Sequence, residues 1–272
     1  MNDQGKNTEN KDCLPDSSNG PLLELANISK AFGGVQALND ITFDVPTGII
    51  LGVIGPNGAG KTTLFNVITG AYEADSGNVR FSGKEIRGKK VHKIVTQGIA
   101  RTFQNVELFE SMTVAENVMV GCHVRGRCGF LDAIIKTPRA KREEQWIMKR
   151  SSELLNFVGL SSQADQRSGD LPFGWQRLLE IARALASEPS VLLLDEPAAG
   201  LNATETRQLG SLIQKIRSNG VTVLLVEHDM SLTMTISDMI IVLDRGSLLA
   251  KGTPREIQSN EAVMAAYLGK GK

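Results

Sequence analysis

The stretch GPNGAGKTT, from Gly55 to Thr63, follows the apolar run IILGVI and precedes LFNVITG, an apolar stretch typical of a helix. Four residues separate its outer glycines and Lys61-Thr62 comes next, which is the spacing of a phosphate-binding turn between a strand and a helix. Glycines let backbone N–H groups curl around phosphate oxygens, and the helix N-terminus adds partial positive charge. The stretch predicts a nucleotide site formed by Gly55, Pro56, Asn57, Gly58, Ala59, Gly60, Lys61, Thr62 and Thr63.

Polar residues at the ends of other apolar runs supply the rest of a candidate site. VLLLD ends at Asp195, and Glu196 follows it. Because ligands of open α/β sheets bind at the carboxyl ends of the strands, Asp195 is predicted to hold Mg²⁺ through water, together with the Thr62 hydroxyl, and Glu196 to polarise the attacking water. His228 follows the run VTVLLVE and is predicted to lie beside both carboxylates and to hydrogen-bond a γ-phosphate. Each feature alone is more often structural, but the glycine turn favours the catalytic interpretation.

The apolar runs also predict the architecture. LLELANIS and VQALNDITFDV alternate apolar and polar residues as half-buried strands do, whereas IILGVI, VLLLD and VTVLLVE are continuous, as in strands covered on both faces. Helical stretches separate these runs, so the fold class is predicted as α/β with a mostly parallel sheet. Between about residues 113 and 169 strand-like runs vanish and a 3.6-residue period dominates, which predicts an inserted helical lobe.

The end of the chain carries two further predicted elements. MIIVLDRGSLLAKG, residues 239–252, predicts a hairpin that turns at Asp244-Arg245-Gly246. One amphipathic helix is predicted over about residues 253–268.

Composition excludes several protein classes. Of the 272 residues, 41% are apolar and 22% are charged, as in globular chains, and 30 basic residues balance 30 acidic ones. Because the net charge is zero, no overall electrostatic attraction favours nucleic acid or an anionic membrane as the main partner. Three cysteines without a Cys-x-x-Cys pair argue against a disulfide framework and fit a reducing compartment. Residues 1–21 are predicted to be a flexible polar tail. The apolar runs are too short to cross a bilayer, so if the protein acts at a membrane, other chains must supply the spans.

With the glycine turn, Asp195-Glu196 and His228 in this order, the chain resembles the ATPase of an ATP-binding cassette (ABC) transporter over roughly residues 22–270. The resemblance implies a P-loop NTPase core with an antiparallel β subdomain, and ATP and Mg²⁺ as ligands. It also implies that Phe32, in KAFGGVQAL, stacks on adenine, and that Gln104, in ARTFQN, touches Mg²⁺ and water and couples to a membrane subunit. The implied catalytic residues are Lys61, Gln104, Glu196 and His228, and the implied metal ligands are Thr62, Gln104 and Asp195.

LPFGWQRLLEIARAL occupies the place of the family's signature, Leu-Ser-Gly-Gly-Gln, of which Leu171 and Gly174 are kept. In the family this loop caps the ATP of a second ATPase subunit, from the same or a different chain, in a head-to-tail dimer. The dimer works with membrane-spanning permease subunits at the cytoplasmic face of the inner membrane. These partners are what the resemblance implies for this chain.

The signature departs from the family pattern. Pro172, Phe173 and Trp175 replace serine, glycine and glutamine, and Asn202, in EPAAGLN, stands where aspartate is usual. Proline offers no hydroxyl to a γ-phosphate, and a hydrogen bond to a charged group is worth about 1.5–3 kcal/mol. We therefore expect the site completed by this signature to be weaker than the site on the chain's own glycine turn.

Longer strings indicate which kind of ABC ATPase the chain resembles. GIARTFQNVELFESMTVAENVMVG and GTPREIQSNEAVMAAYLG are similar to those of ATP-binding subunits for branched-chain amino-acid uptake. ATPases for urea, other amino acids or lipopolysaccharide are the close alternatives. A soluble ABC ATPase of DNA repair or translation would usually have a long coiled coil, a second cassette or a basic surface, and a nucleotide-binding regulator without turnover would not need Glu196 and His228.

Overall fold

The computed structural model describes residues 20–126, 137–228 and 230–268. Nearly all of the tail predicted for residues 1–21 lies outside them, as do Cys13 and Cys128. The strands are β1 (Leu23–Phe32), β2 (Val35–Val45), β3 (Ile50–Ile54), β4 (Ser76–Phe81), β5 (Lys84–Glu85), β6 (Ile99–Arg101), β7 (Val191–Asp195), β8 (Thr222–Val226), β9 (Met239–Asp244) and β10 (Ser247–Gly252). The helices are α1 (Lys61–Ile68), α2 (Val91–Gln97), α3 (Val114–Cys122), α4 (Pro138–Val158), α5 (Phe173–Leu185), α6 (Ala203–Ser218), α7 (Met230–Ile236), α8 (Pro254–Gln258) and α9 (Glu261–Leu268).

A six-stranded sheet in the order β10-β9-β3-β8-β7-β6 forms the centre of the molecule. Its strands are parallel except for β10, which pairs antiparallel with β9. All five residues are buried in each of β3, β7 and β8, which explains why these runs are apolar without alternation. The predicted α/β class with a mostly parallel sheet is confirmed. The carboxyl ends of β3, β7 and β8 lead into the glycine turn, into Asp195-Glu196 and towards His228.

A second, antiparallel sheet in the order β2-β1-β4-β5 packs against one side of the first. Leu25 and Ile41 from this sheet share one hydrophobic cluster with Leu51 and Val53 of β3 and with Phe65 of α1. This cluster therefore packs the antiparallel sheet, whose strand β1 ends at Phe32, against β3 and α1.

The helices α3, α4 and α5 pack on one another and, with α6, cover the opposite face of the central sheet. Thr113 begins α3 with a capping box closed by Glu116, and Thr137 caps α4 ahead of Pro138. Helix α5, which carries the signature sequence, packs within this helical group although it lies beyond residue 169. The helical group in space therefore extends past the stretch predicted from periodicity.

The C-terminal segment differs from its prediction. The hairpin of β9 and β10 is present, but the single helix predicted over residues 253–268 is wrong, since α8 ends before Asn260 and α9 begins after it. The Asn260 side chain accepts hydrogen bonds from the N–H groups of Ala262 and Val263, so it starts a new helix rather than continuing the old one. Among the described residues, none of the helices combines the length and apolar character that a bilayer span requires.

Candidate functional site

The glycine turn connects β3 to α1 and is held in an open loop by its own lysine. Lys61 is buried, and its Nζ donates to the backbone oxygens of Gly55 at 2.7 Å and Pro56 at 3.2 Å. Gly60 has a φ of 101°, and a Cβ on it would lie 2.5 Å from the carbonyl oxygen of Ala37. Only glycine fits that position, and the turn is therefore fixed around a backbone-lined cradle at a helix N-terminus, which suits phosphate groups.

Two distant segments support the glycine turn from behind. The N–H of Gly246, in the β9–β10 turn, donates to the carbonyl of Ala59 at 3.1 Å, and the Gly246 carbonyl accepts from the N–H of Asn39 at 2.7 Å. The hydroxyl of Tyr267, on α9, lies at the backbone of Gly55. Burial raises the pKa of Tyr267 to about 12, and a hydrogen bond from Gly55 opposes that shift. The shape of the turn therefore depends on β2, the hairpin and the last helix as well as on its own sequence.

On the other side of the site, the Glu196 carboxylate is held at both oxygens. His228 Nε2 lies 2.8 Å from Oε1, and the Gln104 side-chain amide donates to Oε2 at 3.1 Å. Glu196 adopts a left-handed backbone with a φ of 48°, and its N–H donates to the Val226 carbonyl at 2.8 Å. A left-handed non-glycine residue costs about 1 kcal/mol or more and is typical of functional sites. The structure thus brings together Gln104, Glu196 and His228, which lie far apart in the sequence.

Asp195, the last residue of β7, lies next to this triad but makes a different contact. Its side chain is 3% exposed, and its Oδ2 accepts from the guanidinium of Arg101 at 2.7 Å. Thr62 is the second residue of α1 and is exposed. The hydroxyl of Thr62, the carboxylate of Asp195 and the amide of Gln104 provide oxygen atoms, which Mg²⁺ prefers. No group of three His, Cys, Asp or Glu side chains suited to a metal occurs among the described residues.

The aromatic side chain at the end of β1 has its own support. The ring of Phe32 is 43% exposed and meets the ring of Tyr72 edge to face, with centroids 5.2 Å apart. Asp75 accepts from Lys30 Nζ and from the N–H of Ala31, each at 2.7 Å, and the hydrogen bond from Lys30 is the main reason that the pKa of Asp75 is lowered. Phe32 therefore presents an open face at the end of β1, supported by Tyr72.

Comparisons with known proteins place this sequence in one family. The family model described as "ABC transporter" matches residues 38–199, which is more than half of the chain. The chain belongs to the ABC transporter family.

Relatives of this cassette share nearly its whole length. The high-affinity branched-chain amino acid transport ATP-binding protein BraF of Pseudomonas aeruginosa is 47% identical over 92% of this chain and 98% of its own. LivG of Escherichia coli strain K12, which has the same description, is 42% identical with the same coverage. A second family model, described as "Branched-chain amino acid ATP-binding cassette transporter", matches residues 247–272.

Solved structures agree with the sequence relatives. A nucleotide-free ATP-binding cassette from an ABC transporter superposes with a TM-score of 0.80 at 32% identity, over 92% of this chain and 100% of that one. The ADP conformation of the cassette MJ1267 gives the same score and identity over 92% and 99%. The chain is an ABC ATPase, and it binds nucleotide as this family does.

The signature of this cassette lies beside the segment that follows β7. The aromatic ring of Phe173 packs where a Cβ on Gly200 would meet it at 3.0 Å, and Gly174 lies close to Glu205 and Leu201. Pro172 is the N-cap of α5 and provides no side-chain cap bond. Leu171 is buried, whereas Phe173 and Trp175 are 45% and 41% exposed. The signature therefore forms an outward-facing surface with two aromatic rings.

Asn202 has a local role that the sequence did not suggest. Its side-chain oxygen accepts from the N–H groups of Thr204 and Glu205, and Glu205 returns a bond to the N–H of Asn202, which completes a capping box for α6. Asparagine caps a helix as well as aspartate does. The departure at this position is thus compatible with the helix start that the fold requires.

Several residues of the site were missed by sequence reasoning. Arg101 contacts Asp195, and Tyr72 supports Phe32. Glu227 is buried and accepts from the N–H groups of Ala198, at 2.7 Å, and His228, at 3.1 Å. Glu227 therefore joins the segment after Glu196 to the histidine. The sequence carried one usable signal, an acidic residue at the end of an otherwise apolar run.

Arg177, in α5, is expected to be essential for stability. Its side chain is 1% exposed, and it donates to the carbonyls of Phe103 and Gln104 and to Glu180 Oε2, at 2.8–2.9 Å. Replacing it by methionine leaves the Glu180 carboxylate buried without its cation, so we expect a loss of about 3–5 kcal/mol in the free energy of unfolding, measured in urea. Arg207→Met, at an exposed position, is the control and should change stability by less than about 0.5 kcal/mol.

Proposed function

We propose that this ABC ATPase binds and hydrolyses ATP to power an importer for branched-chain amino acids. The observation that carries the proposal is the contact of Gln104 and His228 with Glu196, combined with near full-length similarity to BraF and LivG and with the matched segment at residues 247–272. The ATPase domain in this proposal comprises residues 22–270, with residues 1–21 as a tail and about 113–169 as its helical subdomain. ATPases of related urea, other amino-acid or lipopolysaccharide systems are the alternatives that the uptake assay separates.

In the proposed complex ATP lies between Phe32 and the glycine turn. The exposed ring of Phe32 stacks on adenine, and the backbone from Gly55 to Thr63 surrounds the phosphates. The Lys61 ammonium, now bonded to two backbone oxygens, turns to the β- and γ-phosphates. Thr62, Asp195 and Gln104 hold Mg²⁺, which when bound offsets the phosphate charge.

Glu196 is the proposed general base. Its carboxylate accepts a hydrogen bond from the Gln104 amide and contacts Nε2 of His228, and these two contacts hold it in one orientation. There it takes a proton from the attacking water, and His228 hydrogen-bonds the γ-phosphate. Gln104 orients the water and links the site to the segment after β6. The proposal assigns catalytic roles to Lys61, Gln104, Glu196 and His228.

The working unit is proposed to be a head-to-tail dimer of ATPase subunits. The exposed start of α5 then covers the nucleotide bound to the partner, with Leu171 holding the loop and the Gly174 backbone approaching the phosphates. The partner is a second copy or a different ATPase. The solved dimer of the cassette MJ0796, with ADP and Pi in a post-hydrolysis state, shares the fold of this chain at 24% identity and a TM-score of 0.73.

Pro172→Ser tests the consequence of the altered signature. The substitution adds a hydroxyl that can cap α5 and can donate to a γ-phosphate. A hydrogen bond to a charged group is worth about 1.5–3 kcal/mol, so we expect ATP turnover, at protein concentrations that saturate dimer formation, to rise by about tenfold or more. Steady-state phosphate release measures it. Pro189→Ser, remote from the signature, is the control. Unchanged or slower turnover in Pro172→Ser would contradict a site weakened by proline.

Permease subunits at the cytoplasmic face of the membrane are the proposed second partner. A groove of about 460 Å³ lies between α2, α3 and α5, and its walls include Leu108, Phe109 and Val120, with Glu107 and Arg183 among its charged residues. Arg101, three residues before Gln104, also lines it. An apolar groove with charged sides fits a short helix of another protein. A permease helix seated there would contact the segment that carries Gln104 to Glu196.

Co-expression with candidate permease subunits tests the proposal. We expect the chain to co-purify with permeases of a branched-chain amino-acid system, and proteoliposomes with the matching binding protein to take up leucine only when ATP is enclosed with the ATPase. Uptake of urea and of a polar amino acid is measured in parallel. Transport of either one without leucine would replace the proposed cargo, and a failure of the assembled transporter to hydrolyse ATP would reject the mechanism.

A further inference from the structure

Arg101 is a buried cation in direct contact with the proposed metal carboxylate. It is the last residue of β6, next to β7, and its side chain is 8% exposed. Its Nη2 donates to Asp195 Oδ2 at 2.7 Å and its Nη1 donates to Asn66 Oδ1 at 2.5 Å. Among the described residues, the contact with Arg101 is the one salt bridge that Asp195 makes.

Aromatic rings keep this guanidinium in place. Its central carbon lies 5.7 Å from the ring centroid of Phe65 and 5.5 Å from that of Phe103. Phe65 and Asn66 belong to α1, the helix that follows the glycine turn, and Phe103 belongs to the segment that leads to Gln104. A guanidinium fixed by two rings and two hydrogen bonds does not swing away at low cost, so its charge stays beside Asp195.

The charge of Arg101 changes what Asp195 offers to a metal ion. A buried carboxylate without a partner attracts a divalent cation strongly, whereas a carboxylate paired with a guanidinium carries little net charge and the guanidinium repels the cation. Nucleotide phosphates placed in the glycine turn add several negative charges and reverse that balance. Asp195 Oδ1 is not used in the pair with Arg101 and can then face the metal.

We propose that Arg101 is a positioning residue that keeps divalent cations out of the nucleotide-free site and makes their binding depend on nucleotide. It does this by neutralising Asp195 and by holding its carboxylate in one orientation. The inference rests on the proposed assignment of Asp195 as a metal ligand.

Mn²⁺ titration of the nucleotide-free protein, followed by the electron paramagnetic resonance signal of free Mn²⁺, tests the inference. Arg101→Met removes the charge and keeps an unbranched side chain between the rings. We expect it to bind Mn²⁺ with a half-saturating concentration at least about tenfold below that of the wild type, which corresponds to about 1.4 kcal/mol. Arg101→Lys keeps a charge and should resemble the wild type. Adding Asp195→Asn to Arg101→Met should remove the gain.

The controls separate this effect from others. Arg80→Met removes an exposed arginine of the antiparallel sheet and should leave Mn²⁺ binding unchanged. If Arg101→Met does not fold, Arg101→Gln serves in its place, since its amide bonds the carboxylate without charge. Equal Mn²⁺ binding by wild type and the uncharged variant, or a gain that survives Asp195→Asn, would overturn the proposal. ADP binding by the wild type in the presence of Mn²⁺ is measured alongside. If the wild type does not bind ADP, the result contradicts the proposed function and not the role of Arg101.

Discussion

Replacing Glu196 by glutamine is expected to slow ATP hydrolysis by about 10²–10⁴-fold while ATP binding persists, because a general base contributes a factor of that size. Glutamine keeps the shape of the side chain and can still contact Gln104 and His228, which now hold the carboxylate at 3.1 and 2.8 Å. The neutral amide cannot accept the proton of the attacking water. A head-to-tail dimer that closes on ATP should then stay closed and accumulate.

Phosphate release, ATP binding and molar mass in solution are the measurements for Glu196→Gln. Glu144→Gln, an exposed position on α4, is the matched control and should hydrolyse ATP like the wild type. We expect light scattering to show a larger dimer fraction with ATP for Glu196→Gln than for the control. ATP hydrolysis by Glu196→Gln at the wild-type rate would show that Glu196 is not the general base.

Replacing Lys61 by alanine is expected to weaken ATP binding by about 10²–10⁴-fold. Hydrogen bonds between charged groups contribute about 1.5–3 kcal/mol each, and the proposed complex has one to the β- and one to the γ-phosphate. ATP stacked on Phe32 would keep only the backbone contacts of the turn. Equilibrium binding of a fluorescent ATP analogue measures the loss, and Lys84→Ala, at an exposed position, is the control.

Lys61 also stabilises the empty turn, through its bonds to Gly55 and Pro56. The melting temperature of Lys61→Ala therefore has to be compared with that of the wild type, and Lys61→Met, which keeps the apolar stem of the side chain, separates packing from charge. Both variants should lose ATP affinity. Retained affinity in the folded methionine variant would show that the lysine does not contact the phosphates.

Sequence reasoning worked best where one short stretch carries its own chemistry. The glycine turn could be predicted because its backbone geometry requires particular residue types at particular spacings, as the φ of 101° at Gly60 illustrates. The strands β3, β7 and β8 were readable because burial on both faces requires continuous apolar runs. The polar residues at their ends were expected to meet because parallel strands end at one edge of a sheet.

Other elements left no such pattern. The strand β6 has three residues, and β4, with the sequence SGNVRF, buries only two of its six, so neither has a distinctive period. Their place is decided by pairing with β7 and β1. The division between α8 and α9 escaped detection because the cap made by Asn260 interrupts an apolar pattern that continues across it.

The amino-acid sequence by itself determined the nucleotide turn, the α/β class, the acidic pair and the family, because each depends on residues that are neighbours in the chain or on a spacing preserved along it. The tertiary structure alone decided that Arg101 forms a salt bridge with Asp195 and that Gln104 and His228 contact the two carboxylate oxygens of Glu196. It also decided that Tyr72, Glu227 and Tyr267 support the site. These contacts join residues brought together by strand order and helix packing, and side-chain electrostatics and hydrogen bonds act over a few ångströms of space, whatever the distance along the chain.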